Sequence, residues 1–186
     1  MYLVIEGIDT AGKSTQIELL KQDYPNAIFT KEPGGSALGE KLREILLEGS
    51  LDLSKEAEFL LFLSDRAEHI AKVIKPNRSH LIISDRSLIS GIAYAKTIPQ
   101  ALKFNLFATQ GILPDCVILL ELSNEELLRR LSLKQNDRIE QRGVEYLLEI
   151  QDRMIEASRA LEIPLIRINA SLSKEEIYQR IIKEIQ

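Results

Sequence analysis

"IEGIDTAGKSTQIELL", residues 5–20, sets an apolar run, a glycine-bounded loop and an amphipathic segment in immediate succession. Tyr2 to Glu6 reads as a strand, Gly7 to Gly12 as a loop, and Lys13 onward as a helix carrying apolar Ile17, Leu19 and Leu20. The loop fits G-x-x-x-x-G-K-[ST] through Gly7, Gly12, Lys13 and Ser14. Its glycines let successive backbone N–H groups converge on an oxyanion, and the helix N-terminus adds partial positive charge. In that geometry Lys13 reaches the β and γ phosphates of a nucleotide and the Ser14 hydroxyl ligates Mg²⁺. The expected nucleotide-binding set is Gly7, Thr10, Ala11, Gly12, Lys13, Ser14 and Thr15, although Thr15 alone reads as helix surface. The plain alternative is a glycine-rich turn that opens a helix; a strand before it and a helix after it favour phosphate.

Outward from this stretch, strand-like runs recur at Ala27 to Thr30, His80 to Ser84, Asp115 to Glu121 and Pro164 to Ile168. Helical spacing marks Lys13 to Asp23, Leu38 to Leu47, Lys55 to Ile74, Leu88 to Ala95, Leu102 to Gln110, Glu125 to Leu133, Val144 to Leu161 and Lys174 to Ile185. This alternation implies an α/β fold, a five-stranded parallel sheet with helices on both faces. With 186 residues, 45% of them hydrophobic, the chain suits one well-buried domain spanning 1–186. No repeat, low-complexity tract or interdomain linker interrupts it.

A net charge of −4 argues against a broad nucleic-acid or membrane-binding surface, since both need concentrated positive charge. Cys116, the one cysteine, lies in the apolar run "CVILLEL" and reads as a buried strand residue rather than a nucleophile. The start "MYLVIEGID" has no signal-peptide pattern and no run reaches membrane-spanning length, so a cytoplasmic protein is the default expectation.

A phosphate loop alone does not separate a kinase from a GTPase, an ATPase motor or a regulatory binder. A guanine-reading Asn-Lys-x-Asp motif is missing, since no Asn-Lys pair occurs in the chain. In "LIISDRS" an apolar strand ends at Asp85, followed by Arg86. An Asp at the carboxyl end of such a strand lies by the ligand crevice and can hold the water shell of Mg²⁺, so Ser14 and Asp85 are the expected metal residues. Arg86 beside it can grip an incoming phosphate.

Four stretches resemble the thymidylate kinases, a family of phosphate-loop (P-loop) nucleoside monophosphate kinases: "EGIDTAGKSTQ" (6–16), "KEPGGSALGEKLREIL" (31–46), "SDRSLISGIAY" (84–94) and "DRIEQRG" (137–143), with a weaker fifth in "FLSDR" (62–66). They fall in the family's order across most of the chain. The resemblance implies a P-loop NTPase fold and transfer of the ATP γ-phosphoryl group to thymidine 5′-monophosphate, dTMP. It further implies that Asp9 accepts a hydrogen bond from the sugar 3′-hydroxyl, that Glu32 and Pro33 shape the acceptor pocket with Gly34 and Gly35, and that Arg43 and Arg86 hold the acceptor phosphate. Guanidinium forks suit phosphate oxygens. Read alone, Arg43 is a solvated residue on an amphipathic helix.

Phe62 and Arg66, four apart on a helix, share one face; by resemblance the ring stacks on thymine and the guanidinium bonds a ring carbonyl. Phe59 competes with Phe62 but lacks an Arg at that offset. Tyr94 matches the tyrosine that crowds the sugar 2′ position, and Ser90 a small polar pocket residue. Gly91 and Ile92 depart from the family, where an Asn, Thr or Gln commonly reads the thymine edge.

Some relatives carry an Arg just after the loop Asp; here that residue is Thr10. Relatives without it draw a cation from a lid, and the corresponding segment here is "LRRLSLKQNDRIEQRG", 128–143, with the lid itself at about 131–143. Arg129, Arg130, Lys134, Arg138 and Arg142 are the candidates, Arg130 and Lys134 first; Glu140 matches a metal or substrate contact. The expected catalytic set is therefore Lys13, Asp9, Arg86, Arg130 and Lys134. "INAS", 168–171, resembles the loop lying against adenine. No general base is expected, because an ionised phosphate is already a nucleophile and transfer needs orientation and charge. A homodimer through Lys55 to Ile74 and Leu88 to Gln110 is also implied. Two other readings stay open: a kinase for another small acceptor, and a nucleotide-binding regulator without turnover.

Overall fold

A computed structural model describes residues 1–48, 51–132 and 143–185. The strands are β1 (Tyr2–Glu6), β2 (Ile28–Lys31), β3 (Ile82–Asp85), β4 (Cys116–Glu121) and β5 (Leu165–Asn169). All pairings are parallel, in the order β2-β3-β1-β4-β5. Every residue of β1 is buried, and because successive side chains point to opposite faces, both faces of the sheet are covered. The sequence-derived strands thus appear in place, shifted by one or two residues at their ends.

The helices are α1 (Lys13–Asp23), α2 (Ala37–Arg43), α3 (Lys55–His69), α4 (Leu88–Tyr94), α5 (Ala101–Ala108), α6 (Asn124–Leu131), α7 (Val144–Ala160) and α8 (Lys174–Lys183). Serine sets several starts: the hydroxyls of Ser36, Ser54, Ser87, Ser123 and Ser173 accept backbone N–H groups of the first turns of α2, α3, α4, α6 and α8. Two expected helices are divided. After Arg43 the chain winds into a π-helical turn at Glu44–Glu48, and α3 passes at Ile70–Ile74 into another. Side-chain periodicity does not distinguish these wider turns from α-helix.

Helix α1 packs on α8, while α4 contacts α3, α5 and α7. The chain leaves β1 for the β2-β3 side and later crosses to β4, so its direction across the sheet reverses at β1. Ligands of open α/β sheets bind in the crevice outside the carboxyl ends of strands at such a reversal. Here that rim carries Glu6, Lys31 and Asp85, with Ile5 in register with Asp85 and Asp85 with Lys31. Cys116 is buried in β4, as expected, and burial pushes its thiol up to about 11.

Candidate active site

The turn after β1 needs glycine at its first position. Gly7 has φ +151°, and a Cβ there would stand 2.9 Å from the Leu120 carbonyl oxygen on β4. The backbone therefore lies tight against the neighbouring strand before rising into α1. Lys13, in the first turn of α1, folds its Nζ back onto the Gly7 and Ile8 carbonyls at 2.9 and 3.1 Å. Ser14 and Thr15 are exposed at the helix start. Burial, then the Arg86 charge, pull the Lys13 ammonium down to about 8 against the raising effect of Asp85, Asp9 and Glu6.

Beside it, Asp85 ends β3 with a buried Oδ1 that has no hydrogen-bond partner among the described residues. A carboxylate oxygen left this way, on the recess that Ser14 also lines, suits a hard cation with oxygen ligands. The next residue, Arg86, takes φ +73° and donates its backbone N–H to Ile5 O, extending the β1-β3 ladder by one bond. That turn delivers its guanidinium to Asp9, 2.6 Å from Nη2, and to the Ser90 hydroxyl, 2.9 Å from Nη1. Its Cζ also stands 5.7 Å from the centre of the Tyr94 ring. The Tyr94 hydroxyl is buried without a hydrogen-bond partner among the described residues. Beneath Ser90 lies Glu6, fully buried, which accepts from the Ser87 and Ser90 hydroxyls and the Ser90 N–H. Burial raises its pKa, with Arg86 and the serines opposing.

The second half of the crevice rests on a buried ionic group. Glu32, just past β2, accepts from Arg66 Nε at 2.8 Å and from His69 Nδ1 at 2.8 Å, while His69 Nε2 and the Thr30 hydroxyl share a hydrogen bond. Burial pushes the Glu32 pKa up, but Arg66 and His69 more than offset it, so the carboxylate sits below its ordinary range. Asp65 holds the Gly34 N–H at 2.9 Å and so pins the Glu-Pro-Gly-Gly loop to α3. Arg43 donates to Pro33 O.

These parts enclose a single recess of about 980 Å³. Asp9, Thr10, Gly12, Lys13, Ser14 and Thr15 line it from the phosphate loop, Glu32, Pro33, Arg43, Phe62 and Arg66 from the Glu-Pro-Gly-Gly loop, α2 and α3, and Asp85, Arg86, Ser90 and Tyr94 from the end of β3 and α4. Gly7 and Ala11 stay buried behind the loop. Phe59 also lines the recess, but it belongs to a separate apolar cluster and its ring packs edge-on against Phe104, whereas Phe62 is half-buried.

Arg130 lies beside the phosphate loop, its Nη1 3.9 Å from where a Cβ on Gly12 would stand. Its Nε bonds Glu126, its Nη1 the Thr10 carbonyl and its Nη2 the Ala170 carbonyl, and it is not part of the recess lining. It thus straps the loop after β5, the "INAS" stretch, to the phosphate loop. A helical residue followed by a polar segment gives no sequence signal for partners this remote. Arg129 pairs with Glu126 at the surface. Lys134, Arg138, Glu140 and Arg142 lie outside the described residues. Sequence reasoning missed Glu6, Asp65, His69 and Asn105, all buried polar groups supporting the recess. A charged Glu closing the apolar run "YLVIE" was the one visible signal among them.

A phosphate loop that shares one crevice with an arginine-bearing acceptor recess defines a phosphate-loop nucleotide kinase. The thymidylate kinase family profile matches residues 5–181. The chain is 60% identical over 184 residues to the thymidylate kinase of Wolinella succinogenes, covering 98% of this chain and 96% of that one. It is 57% identical to the thymidylate kinase of Aliarcobacter butzleri, covering 97% and 96% of the two chains. The crystal structure of a thymidylate kinase from Ehrlichia chaffeensis superposes with a TM-score of 0.77 at 25% identity, covering 100% of this chain and 98% of that one. The chain belongs to the thymidylate kinase family.

The lowered Lys13 pKa has a measurable consequence. With its pKa drawn to about 8, Lys13 is expected to lose its proton in the free protein as pH rises through that value, and a triphosphate held by its ammonium is expected to bind with proton uptake above it. Calorimetric ATP affinity in EDTA is expected to fall by about tenfold per pH unit above pH 8; a flat profile to pH 10 would contradict this role.

Proposed function

We propose that the protein transfers the γ-phosphoryl group of ATP to dTMP, releasing dTDP and ADP. The observation that carries this reading is the joining of both half-sites through Arg86, which bonds loop residue Asp9 while facing the acceptor recess. The loop from Gly7 to Thr15 takes the donor phosphates, with Lys13 turning from the loop carbonyls to the β and γ oxygens. The adenine lies toward the segment strapped by Arg130. The acceptor enters with its base between Phe62 and Arg66, its sugar against Tyr94 and Asp9, and its phosphate at Arg86 and Arg43.

A non-bridging oxygen of the acceptor phosphate attacks the γ-phosphorus; that P–O bond forms as the bond to the β-phosphate oxygen breaks, and ADP leaves with the electron pair. Lys13 and Arg86 counter the charge spread over the moving oxygens. Ser14 and Asp85 would hold Mg²⁺, which when bound neutralises the β and γ phosphates. Tyr94, with Arg86 against its ring, fills the space a ribose 2′-hydroxyl would need and so selects deoxyribose. Glu32, both of whose oxygens are engaged by Arg66 and His69, acts by shaping the pocket rather than by touching the acceptor. Arg130, already at the phosphate loop through the Thr10 carbonyl, stays the first candidate for the further cation, together with Lys134 from the lid. One catalytic domain carries the whole reaction.

A coupled ADP-release assay with dTMP and other nucleoside monophosphates tests this. Arg43→Ala is expected to raise the KM for dTMP by about 10–100-fold, as for the loss of a hydrogen bond to a charged group, with the KM for ATP unmoved. Asp85→Ala is expected to weaken Mg²⁺ dependence by a similar factor. ATP binding without turnover on any monophosphate would favour the regulatory reading.

The protein also acts as a homodimer through α3 and α5. Phe107 is 84% exposed, Leu60 57% and Phe104 46%, and Phe104 and Phe107 share one face of α5. Phe107→Asp is expected to shift sedimentation from dimer to monomer; an unchanged dimer would place the interface elsewhere.

A further inference from the structure

The buried amide of Asn105 carries a role that the reaction alone does not explain. Asn105 lies on α5, fully buried, where its Nδ2 donates to Ala101 O at 2.8 Å and its Oδ1 accepts from Arg66 Nη1 at 2.5 Å. The partners fix the amide's orientation without ambiguity. A guanidinium can only donate and a carbonyl can only accept, so oxygen must face Arg66 and nitrogen must face Ala101. Of the neutral side chains, only one carrying both an acceptor and a donor satisfies both ends at once.

Arg66 is held on its other sides as well. Its Nε and Nη2 both stand 2.8 Å from Glu32 Oε2, and Nη2 donates to Ser87 O at 3.2 Å. Among the described residues four of its five N–H groups have partners, which leaves the second one on Nη1 for a ligand in the recess. Asn105 therefore engages the same nitrogen that offers the free donor. Its grip on Nη1 sets the direction in which that donor points.

Gly91 makes this grip possible. A Cβ there would stand 2.6 Å from Asn105 Oδ1 and 2.8 Å from Arg66 Cζ, so a side chain at 91 and the Asn105–Arg66 contact are mutually exclusive. The glycine that looked in sequence like a lost base-reading position is instead the gap through which α5 reaches the guanidinium.

We propose that Asn105 is the positioning residue for base selection: by holding Arg66 Nη1 through the gap at Gly91, it aims one N–H at the ring position where thymine offers an oxygen and cytosine an amino group. This rests on the dTMP reading above. Thymine and uracil both present an acceptor at that position, and cytosine presents a donor that meets Arg66 donor to donor. The device consequently separates dTMP from dCMP and does not sense the thymine methyl group.

The test is the ratio of kcat/KM for dTMP over dCMP, with dUMP, the KM for ATP and thermal unfolding measured alongside. Asn105→Leu, similar in size with no polar atom, is expected to lower the dTMP/dCMP ratio by about tenfold or more, chiefly through the KM for dTMP. The dTMP/dUMP ratio should stay within about twofold. Asn105→Asp keeps the acceptor for Arg66 but loses the donor to Ala101 O, so it should retain most of the selectivity while unfolding at a lower temperature. Gly91→Ala, which leaves Asn105 intact and crowds the guanidinium, should reproduce the loss and decides the matter if Asn105→Leu does not fold. An unchanged dTMP/dCMP ratio in both Asn105→Leu and Gly91→Ala, or a fall in it matched by the dTMP/dUMP ratio and the ATP KM, would overturn the proposal. Failure of the unmutated protein to prefer dTMP over dCMP would instead overturn the reading beneath it.

Discussion

The parallel pairing of β1 with β3, Ile5 opposite Asp85, is the constraint on which the site depends. It brings the start of the phosphate loop and the end of β3 to one rim although 77 residues separate Asp9 from Arg86. One further ladder bond, Arg86 N–H to Ile5 O, carries the register past the strand's end. From there the positive φ of Arg86 directs its side chain toward Asp9 instead of along the sheet. The phosphate loop and the end of β3 are thus joined by backbone pairing first and by an ion pair second.

Around Arg66 the recess rests on a group of paired buried charges. Glu32, Arg66 and His69 are each nearly inaccessible, and such a group costs desolvation that only complete pairing offsets. Glu32 occupies Arg66 and His69 together, Ser87 and Asn105 take further Arg66 donors, and Asp65 ties the Glu-Pro-Gly-Gly loop to the same helix. The outcome is a guanidinium with little rotational freedom, and preorganised donors of this kind discriminate between ligands without being rearranged on binding. Glu32 is lower in pKa when folded than when unfolded. Its contribution to stability is therefore present above the ordinary carboxylate range and lost as pH falls through its folded pKa.

Much of this was legible in the chain, for physical reasons that also mark where reading stopped. Apolar runs buried on both faces betray strands, and amphipathic spacing betrays helices, so the α/β order and the phosphate loop could be read directly. Phe62, Arg66, Arg86 and Tyr94 followed from resemblance, and all four line the recess. The contacts of Arg130 could not be read from the chain, because its partners Thr10 and Ala170 lie 120 and 40 residues away. Asn105 was invisible for the same reason: a polar residue inside "KFNLFA" has no meaning until α3, α4 and α5 are packed together. Gly91 read as a deficiency in sequence and became a requirement once its neighbours were known.

The central claim is that one recess holds donor and acceptor end to end. The most direct measurement is calorimetric binding of a compound that joins the 5′ ends of adenosine and thymidine through a polyphosphate chain. Linking ligands for two adjacent sites makes the second contact intramolecular. The compound should bind at least about a hundredfold more tightly than dTMP or ATP alone, and saturation with either nucleotide should displace it. Affinity no better than that of the single nucleotides, or displacement by only one of them, would contradict the shared recess.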